Sequence, residues 1–269
     1  MAGITIFGIT GRMGQTLVSA LRGVDTHALR LIGAVASPHS GRLGQDAAVE
    51  GVASGVIVTA DPQAGLRGAA VAVDFSLPQC VAANARACVH AKVPLLVGTT
   101  GFDAATRDVL VSAATVIPVL IAPNTSVGVS VVAKLVELAT VALGPGYDVE
   151  ISEAHHRMKR DAPSGTALAL GTIVARARGR ELPDVAVFER HGNLAPRTPG
   201  DIGFSVLRAG DIVGEHTVTF AVAGERVEIT HRASDRITFA RGALRAAEWL
   251  AGRPPGLYAM EDVIALEQP

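Results

Sequence analysis

Cysteine, aromatic side chains and charge are all scarce in this sequence. Its 269 residues include two cysteines, 4% aromatic residues and 18% charged residues, with a formal net charge of −1 at pH 7. Cys80 and Cys88 form neither a disulfide framework nor a metal-ligand spacing, and we interpret both as small buried hydrophobic residues. The near-zero charge offers no general attraction to a phosphate backbone, which argues against a nucleic-acid partner.

Long uncharged apolar runs are missing as well. The most apolar long window, Val127–Leu143, is too short for a membrane span and contains Lys134 and Glu137. The chain opens on a strand pattern, Ile4–Phe7, rather than on a secretory signal. We therefore expect a soluble, cytoplasmic protein without a membrane partner. Its 49% hydrophobic residues are enough for a substantial core in one large or two modest domains.

Up to about residue 126, short apolar runs alternate with alanine-rich helical stretches. Continuous apolar runs are typical of strands that are covered on both faces of a sheet. The alternation predicts right-handed βαβ crossovers and an α/β fold with a doubly wound parallel, Rossmann-like sheet. The predicted strands are Ile4–Phe7, Leu31–Ala36, Val71–Phe75, Leu95–Val97 and Val116–Ile121, and the helices between them include Gln15–Arg22 and Gln79–Ala91.

The pattern changes after residue 126 and predicts a second, α+β domain. Its later strands alternate apolar and polar residues, which indicates an antiparallel or mixed sheet with one less apolar face. The predicted elements are a helix over Val127–Leu143, a strand over Asp148–Ala154, a helix from about Thr166, strands over Phe204–Leu207, His216–Phe220 and Val227–His231, an extended loop over Glu189–Gly203, and a last helix over Ile237–Ala251.

Three glycines, Gly8, Gly11 and Gly14, follow the first predicted strand and open a helix. Glycines at such a turn let the backbone approach a pyrophosphate, which the helix N-terminus stabilises. The G-x-x-G-x-x-G spacing is one residue longer than the usual dinucleotide fingerprint, and a tight turn that needs glycine only for steric reasons is the alternative. Because the loop lies on the first strand–helix turn, we favour a dinucleotide cofactor.

The end of the second predicted strand lacks the acidic residue that NAD sites usually place there. Ser37 stands nearby and can donate to a 2′-phosphate, with Arg12 or Arg42 as a source of positive charge. We expect NADPH or NADH, with NADPH favoured. Two further loops, 98–101 and 122–125, follow predicted parallel strands, where open α/β sheets bind ligands.

A cationic segment is the most informative stretch of the second half. Residues 155–160 hold five basic or titratable nitrogen side chains in six positions. A solvated charge run is the usual explanation, but Ser164, Gly165 and Thr166 then start a predicted helix. Its N–H groups and hydroxyls suit a carboxylate, so we expect a pocket for a small di-acid. A lysine among cations can have its pKa lowered enough to donate a proton near neutral pH.

Other chemistries have weaker support. Neighbouring histidines on a strand point in opposite directions, and neither a metal-ligand spacing nor a G-x-S-x-G elbow is present. A semialdehyde dehydrogenase needs a nucleophilic cysteine in a cationic setting, which Cys80 and Cys88 lack. A non-enzymatic NADP-sensing regulator would not need a di-acid pocket.

Four motifs resemble the 4-hydroxy-tetrahydrodipicolinate reductase (dihydrodipicolinate reductase) family: GITGRMG at 8–14, GTTGF at 98–102, APNTSVGVSV at 122–131 and HHRMKRDAPSGTA at 155–167. The resemblance implies NAD(P)H-dependent reduction of 4-hydroxy-tetrahydrodipicolinate to tetrahydrodipicolinate with loss of water, in lysine biosynthesis through diaminopimelate. It also implies a homotetramer built through the second domain's sheet and a C-terminal helix that returns to the cofactor domain. We therefore assign 1–126 and 237–269 to dinucleotide binding, and 127–236 to substrate binding and oligomerisation.

The resemblance also implies roles for individual residues. His155 matches the family's catalytic histidine and Lys159 its proton donor; whether His155 is itself an acid or orients the substrate stays open. The substrate-binding residues that the resemblance implies are His156, Gly165 and Thr166, and the cofactor-binding residues are Gly8, Ile9, Thr10, Gly11, Arg12, Met13, Gly98, Thr99, Thr100, Ala122, Pro123, Asn124 and Thr125. The residue pattern itself adds Ser164 to the expected substrate site and Ser37, where the chain departs from the family, to the expected cofactor site.

Overall fold

The structure is a computed structural model that describes residues 1–23, 28–192 and 195–264. The chain divides into two compact units: a first unit of Met1–Val127 with Ile237–Pro269, and a second unit of Gly128–Arg236. The dinucleotide and substrate roles assigned to these parts stay predictions. No helix among the described residues is long and apolar enough to cross a membrane.

The strands in chain order are β1 (Ala2–Phe7), β2 (Leu29–Val35), β3 (Val58–Thr59), β4 (Val71–Asp74), β5 (Leu95–Val97), β6 (Pro118–Ile121), β7 (Asp148–His155), β8 (Ala186–Val187), β9 (Ile202–Arg208), β10 (Gly214–Val222), β11 (Glu225–Ala233) and β12 (Gly256–Tyr258). The helices are α1 (Arg12–Arg22), α2 (Pro62–Leu66), α3 (Pro78–Ala91), α4 (Ala104–Ala113), α5 (Val127–Leu143), α6 (Gly165–Ala177), α7 (Ile237–Leu250) and α8 (Met260–Val263).

The first unit contains a seven-stranded sheet in the order β12-β6-β5-β4-β1-β2-β3. Every neighbouring pair of its strands is parallel, so the predicted doubly wound α/β sheet is confirmed. The strand order reverses next to β1, and such a switch point is where open α/β sheets leave a crevice for ligands. The carboxyl ends of β1, β4, β5 and β6 therefore share the edge at which a cofactor is expected.

Helices cover this sheet on both faces, and each face has its own apolar core. The last long helix, α7, belongs to this unit because one of its sides is buried in the core with β1 and α1. Its seven buried residues are mostly alanine, which allows close packing of the helix on its neighbours. They are Ala240, Gly242, Ala243, Leu244, Ala246, Ala247 and Leu250.

The second unit contains a five-stranded sheet in the order β11-β10-β7-β9-β8. The central strand, β7, runs antiparallel to β10 and parallel to β9, so of the two predicted alternatives, antiparallel or mixed, the sheet is mixed. Side chains on β7 alternate between faces, so Val149, Ile151, Glu153 and His155 share the buried face. Two carboxyl-terminal positions of an otherwise apolar face are thus polar, and the candidate site begins there.

Some predicted boundaries are wrong. The strand predicted from Val116 begins at Pro118, because the N–H groups of Val116 and Ile117 bond to Ala113 O and close the end of α4. The extended loop predicted to reach Gly203 ends earlier, since Gly203 lies in β9. Residues 193 and 194 of that loop lie outside the described residues.

Candidate active site

The glycine loop begins immediately after β1, where Gly8 has a φ of 78°. A Cβ at Gly8 would lie 2.4 Å from Phe75 O, and one at Gly14 would lie 2.4 Å from Gly8 O. Steric need therefore explains these two glycines. Gly11 is less crowded and is the N-cap of α1 without a side-chain cap. The first N–H groups of α1 thus adjoin the loop, an arrangement that fits a dinucleotide pyrophosphate.

The other predicted residues of this loop differ in exposure. Ile9 is fully buried, and its backbone is bonded on both sides: its N–H to Val35 O at 3.2 Å and its carbonyl to Gln15 Nε2 at 2.8 Å. Ile9 therefore supports the loop from within the core. Thr10 and Met13 are half-buried, whereas Arg12 is exposed at the start of α1.

A buried carboxylate organises the neighbouring loops. Asp74, at the end of β4, is fully buried. One carboxylate oxygen accepts the Ser76 N–H at 2.8 Å and the Thr99 hydroxyl at 2.9 Å, and the other accepts Asn84 Nδ2 at 2.8 Å. The Thr99 hydroxyl is thus directed into the protein, and the backbone of Gly98 and Thr99 is also held by Asp74 O. Sequence reasoning missed Asp74, although a charge that ends a continuous apolar run was visible.

The loop after β6 is fixed at both ends. The Ala122 N–H donates to Val97 O at 2.9 Å, and the Thr125 hydroxyl donates to Phe239 O at 2.7 Å. Asn124 accepts the Ser126 N–H at 2.9 Å. Together with Gly98 and Thr99, these residues give the sheet edge a preformed rim. The structure brings the predicted cofactor loops to one edge of one sheet.

The segment after β2 is arranged around Ser37 and Arg42. Ser37 is exposed, and its hydroxyl oxygen accepts the His39 N–H at 3.2 Å. The Arg42 guanidinium donates to Asp46 O and Ala48 O at 2.9 and 3.0 Å. Arg42 therefore holds a backbone segment, whereas the other predicted cation, Arg12, is exposed.

His155 lies at the end of β7 on the buried face. Its Nδ1 is 2.6 Å from Glu153 Oε2, and only 11% of its side chain is exposed. Burial lowers the pKa of His155, and the Glu153 carboxylate offsets this only in part. The next residue, His156, lies with Nε2 3.3 Å from Arg236 Nη2. The two histidines thus have separate partners.

Lys159 follows in a turn and is largely shielded from solvent. Its Nζ is 2.8 Å from Asp161 Oδ2, and 23% of the lysine side chain is exposed against 62% of the aspartate. The hydrogen bond from Lys159 is the main reason that the pKa of Asp161 lies below its ordinary range. Asp161 is therefore a charged partner that keeps the ammonium group in one place.

The cationic segment leads into α6, whose N-cap is Ser164. The Ser164 hydroxyl oxygen accepts the Ala167 N–H at 3.1 Å and lies 2.9 Å from His216 Nε2. The buried Ser164 side chain therefore caps the helix start through its bond to the Ala167 N–H. Gly165 is exposed, and a Cβ there would meet nothing within 4 Å in the described part of the chain. Internal packing does not require this glycine, so an approaching ligand is the better reason for it.

Two residues that sequence reasoning left out of the site complete it. Arg208, on β9, donates from its two terminal nitrogens to the two oxygens of Glu153, each at 2.7 Å, and also to Asp161 O at 2.7 Å. His216, on β10, is buried with its ring 5.1 Å from that of His155 in an edge-to-face arrangement. Burial, assisted by the neighbouring His155, lowers the pKa of His216 to about 4.

The structure also bears on the alternative chemistries. Cys88 is fully buried and burial raises its pKa, so it has no thiolate character, and Cys80 is half-buried on α3. Within the described ranges, no group of three or more His, Cys, Asp or Glu side chains is placed to hold a metal ion.

Comparisons with known proteins agree with this architecture. Family profiles described as "Dihydrodipicolinate reductase, N-terminus" and "Dihydrodipicolinate reductase, C-terminus" match residues 2–125 and 128–264. Proteins named 4-hydroxy-tetrahydrodipicolinate reductase from Thiobacillus denitrificans and Alkalilimnicola ehrlichii are 53% and 50% identical to this chain, with 98% of each chain covered. The solved structure of a dipicolinate-bound dihydrodipicolinate reductase from Paenisporosarcina sp. TG-14 is similar in fold. Its TM-score is 0.76 at 23% identity, and the match covers 98% of this chain and 99% of that one. The chain therefore belongs to the dihydrodipicolinate reductase family.

Proposed function

We propose that this protein catalyses the NAD(P)H-dependent reduction of 4-hydroxy-tetrahydrodipicolinate to tetrahydrodipicolinate, with loss of water, in lysine biosynthesis through diaminopimelate. The main structural support is the end of β7, where His155, Lys159 and the start of α6 lie in one segment of the second unit. Cations beside helix N–H groups suit a di-acid. The names of the relatives point to the same reaction, and the Paenisporosarcina enzyme is described as binding dipicolinate, a cyclic di-acid.

In this proposal the first unit binds the nicotinamide cofactor. The start of α1 and the loop around Gly11 hold the pyrophosphate, because the first N–H groups of α1 adjoin this glycine, which is less crowded than Gly8 and Gly14. The rim formed by Gly98, Thr99, Thr100 and Ala122–Thr125 borders the nicotinamide. When bound, the reduced cofactor supplies hydride.

The second unit binds the substrate and supplies the proton. The N–H groups of Gly165 and Thr166 receive a substrate carboxylate, and His156 lies beside Arg236 as a further polar contact. Hydride addition to a conjugated imine leaves electron density that must be protonated. Lys159 is the proposed donor, because Asp161 holds its Nζ at 2.8 Å and three quarters of the side chain is shielded.

We also propose that the second unit carries a self-association surface, as a homotetramer requires. Val131, Leu135, Leu138 and Val141 form one stripe along α5 and are 44–67% exposed. Val206 and Leu207 on β9 are 42% and 53% exposed. Apolar surface of this kind on a folded protein marks an interaction site. Light scattering coupled to size-exclusion chromatography tests the tetramer, and a monomer at micromolar concentration would exclude it.

Cofactor preference and location complete the proposal. NADPH is favoured because the segment at Ser37–Ser40 holds no carboxylate that would repel a 2′-phosphate, and Arg12 is an exposed cation on the same unit. A cytoplasmic location fits two cysteines that are both free.

One assay tests the reaction. Freshly generated 4-hydroxy-tetrahydrodipicolinate is mixed with the protein and NADPH or NADH, and the decay of reduced-nicotinamide absorbance is followed. We expect turnover that depends on the substrate, with NADPH oxidised faster than NADH. A folded protein that binds NADPH but gives no turnover with either cofactor would instead favour an NADP-sensing regulator.

A further inference from the structure

We propose that Glu153 is a positioning residue, which fixes the tautomer and orientation of the His155 imidazole and ties it to the start of α6. The inference deepens the proposed function, on which its kinetic part rests. Glu153 matches neither a substrate contact nor a cofactor contact among the predicted residues. Its position on β7, two residues before His155 on the same face, places the two side chains next to each other.

The Glu153 carboxylate has all of its acceptor capacity in use. Oε2 accepts from His155 Nδ1 at 2.6 Å and from Arg208 Nη1 at 2.7 Å. Oε1 accepts from Arg208 Nη2 at 2.7 Å and from the Ser164 N–H at 3.0 Å. The side chain is 1% exposed, so solvent does not compete for these oxygens. A buried carboxylate requires such a complete set of donors, which makes its surroundings rigid.

This arrangement determines which nitrogen of His155 carries the proton. An ionised carboxylate only accepts hydrogen bonds, so Nδ1 must be the protonated nitrogen of a neutral imidazole. Nε2 is then the nitrogen left for the substrate, as an acceptor. Hydrogen bonds from Arg208 and His155 hold the pKa of Glu153 below its ordinary range despite burial, so the acceptor stays ionised at neutral pH.

The strand next to β7 leaves room at Nε2. Gly214 begins β10, and a Cβ added to it would lie 3.1 Å from His155 Nε2. Any larger residue at this position would crowd the nitrogen that Glu153 leaves for the substrate. A glycine here thus keeps one side of the ring clear, while Glu153 holds the opposite side.

The same carboxylate also holds the helix start. Oε1 accepts the Ser164 N–H, and Ser164 directly precedes the exposed Gly165 and the half-buried Thr166. Arg208 adds a second link, because its Nη2 reaches both Glu153 and Asp161 O, next to Lys159 on the loop. One anchored ion pair therefore sets the geometry of His155, of the Lys159 loop and of the proposed carboxylate site together.

The test compares Glu153→Gln with a matched control, Glu150→Gln. Both residues lie on β7 and pair with arginine, since Glu150 bonds to Arg190 and Arg197. Glu150 lies on the other face of the strand, away from His155. In Glu153→Gln we expect kcat to fall on the order of 100-fold, with a smaller loss of affinity for dipicolinate. In Glu150→Gln we expect kcat within about twofold of the wild type.

A spectroscopic measurement distinguishes control of the His155 tautomer by Glu153 from a merely structural role of Glu153. Long-range 1H–15N correlation spectra of histidine-labelled protein report the tautomer of each imidazole, and His155→Gln assigns the signal. We expect the Nδ1–H form in the wild type and its loss in Glu153→Gln, with partial return of kcat in Glu153→Asp. An Nε2–H form in the wild type would overturn the proposal even if Glu153→Gln did not fold. So would equal kcat values for Glu153→Gln and Glu150→Gln. A wild type without turnover would refute the proposed function, while the spectra would still decide the role of Glu153.

Discussion

Asp74 in the first unit and Glu153 in the second are both buried carboxylates near the carboxyl ends of inner strands, yet they have different partners. Asp74 is held by neutral donors: a backbone N–H, a hydroxyl and an amide. Glu153 is held by the Arg208 guanidinium, an imidazole and one backbone N–H. Both tie loops together where a ligand is expected.

The difference fits the two proposed tasks. A cofactor loop must keep its backbone N–H groups in place, and neutral donors on Asp74 do so without adding positive charge. Beside a proposed di-acid site a buried negative charge must be compensated, and the Arg208 guanidinium neutralises Glu153 so that this carboxylate does not repel the substrate. In both units a buried carboxylate organises the loops, and the charge of its hydrogen-bond donors differs between the two proposed tasks.

The largest expected effect separates chemistry from cofactor binding. Lys159→Ala or His155→Ala should lower kcat by about 10²–10⁴-fold, because each removes a polar group proposed to act on the substrate. NADPH affinity, measured by fluorescence titration, should not change. Lys134→Ala is the control, since the ion pair that the structure describes for Lys134, with Glu137 on α5, is exposed. Joint loss of turnover and NADPH affinity would contradict the division of work between the units.

The next effect compares the two carboxylates directly. Arg208→Ala leaves Glu153 buried without a cation and should lower the free energy of unfolding by about 3–5 kcal/mol. Asn84→Ala removes one neutral donor from Asp74 and should cost about 1–3 kcal/mol. Urea unfolding followed by circular dichroism measures both. Arg232→Ala is the control, because its pair with Glu215 is exposed and is worth about 0–1 kcal/mol. Equal losses for Arg208 and Asn84 would show that the charge of the donor does not matter.

A pH series should reveal how much the buried His216 of the second unit contributes to the free energy of unfolding. Its pKa is lowered from 6.5 to about 4, so the unfolded chain binds the proton first as the pH falls. The stability from His216 is complete above pH 6.5 and decreases between pH 6.5 and 4, by up to about 3 kcal/mol. The free energy of unfolding at each pH measures this decrease. His216→Gln should flatten the curve in that window, and an unchanged curve would rule out His216 as the cause.

The smallest expected effect concerns the cofactor site of the first unit. Ser37→Asp places a carboxylate at an exposed position that carries none, and it should weaken NADPH binding about fivefold. NADH affinity should stay the same or improve, because the new acid accepts from a ribose hydroxyl. Parallel titrations with both cofactors measure the ratio. If Ser37→Asp binds NADPH as tightly as the wild type, Ser37 does not lie near the 2′-phosphate.

Regular periodicity made much of the fold predictable. The continuous apolar runs gave β1, β4 and β5, and the helix predicted over Val127–Leu143 has those bounds in α5. β3 has only two residues, and β12 (Gly256–Tyr258) begins with glycine and lacks the continuous apolar run that revealed the equally short β5. They form because an existing sheet edge pairs with them, a tertiary effect.

The site was predictable only where residues are close in sequence. His155, Lys159 and the start of α6 lie in one segment, so a local motif reveals them. Arg208 reaches Glu153 from 55 positions away, and only the pairing of β7 with β9 brings the two together. Asp74 and Glu153 were missed as site residues because a carboxylate on a predicted buried strand does not indicate its role until its hydrogen-bond donors, which come from other segments, are known.

Because the chain returns to the first unit after the second, the order in which the ribosome makes the protein affects how the first unit folds. The 109 residues of Gly128–Arg236 emerge from the ribosome before α7 does, a delay of roughly 5–20 s at ordinary rates of translation. Until then β1 and α1 lack the seven residues of α7 that complete their core. A nascent first unit therefore exposes an apolar face for seconds, and its completion depends on residues that are made only after the second unit.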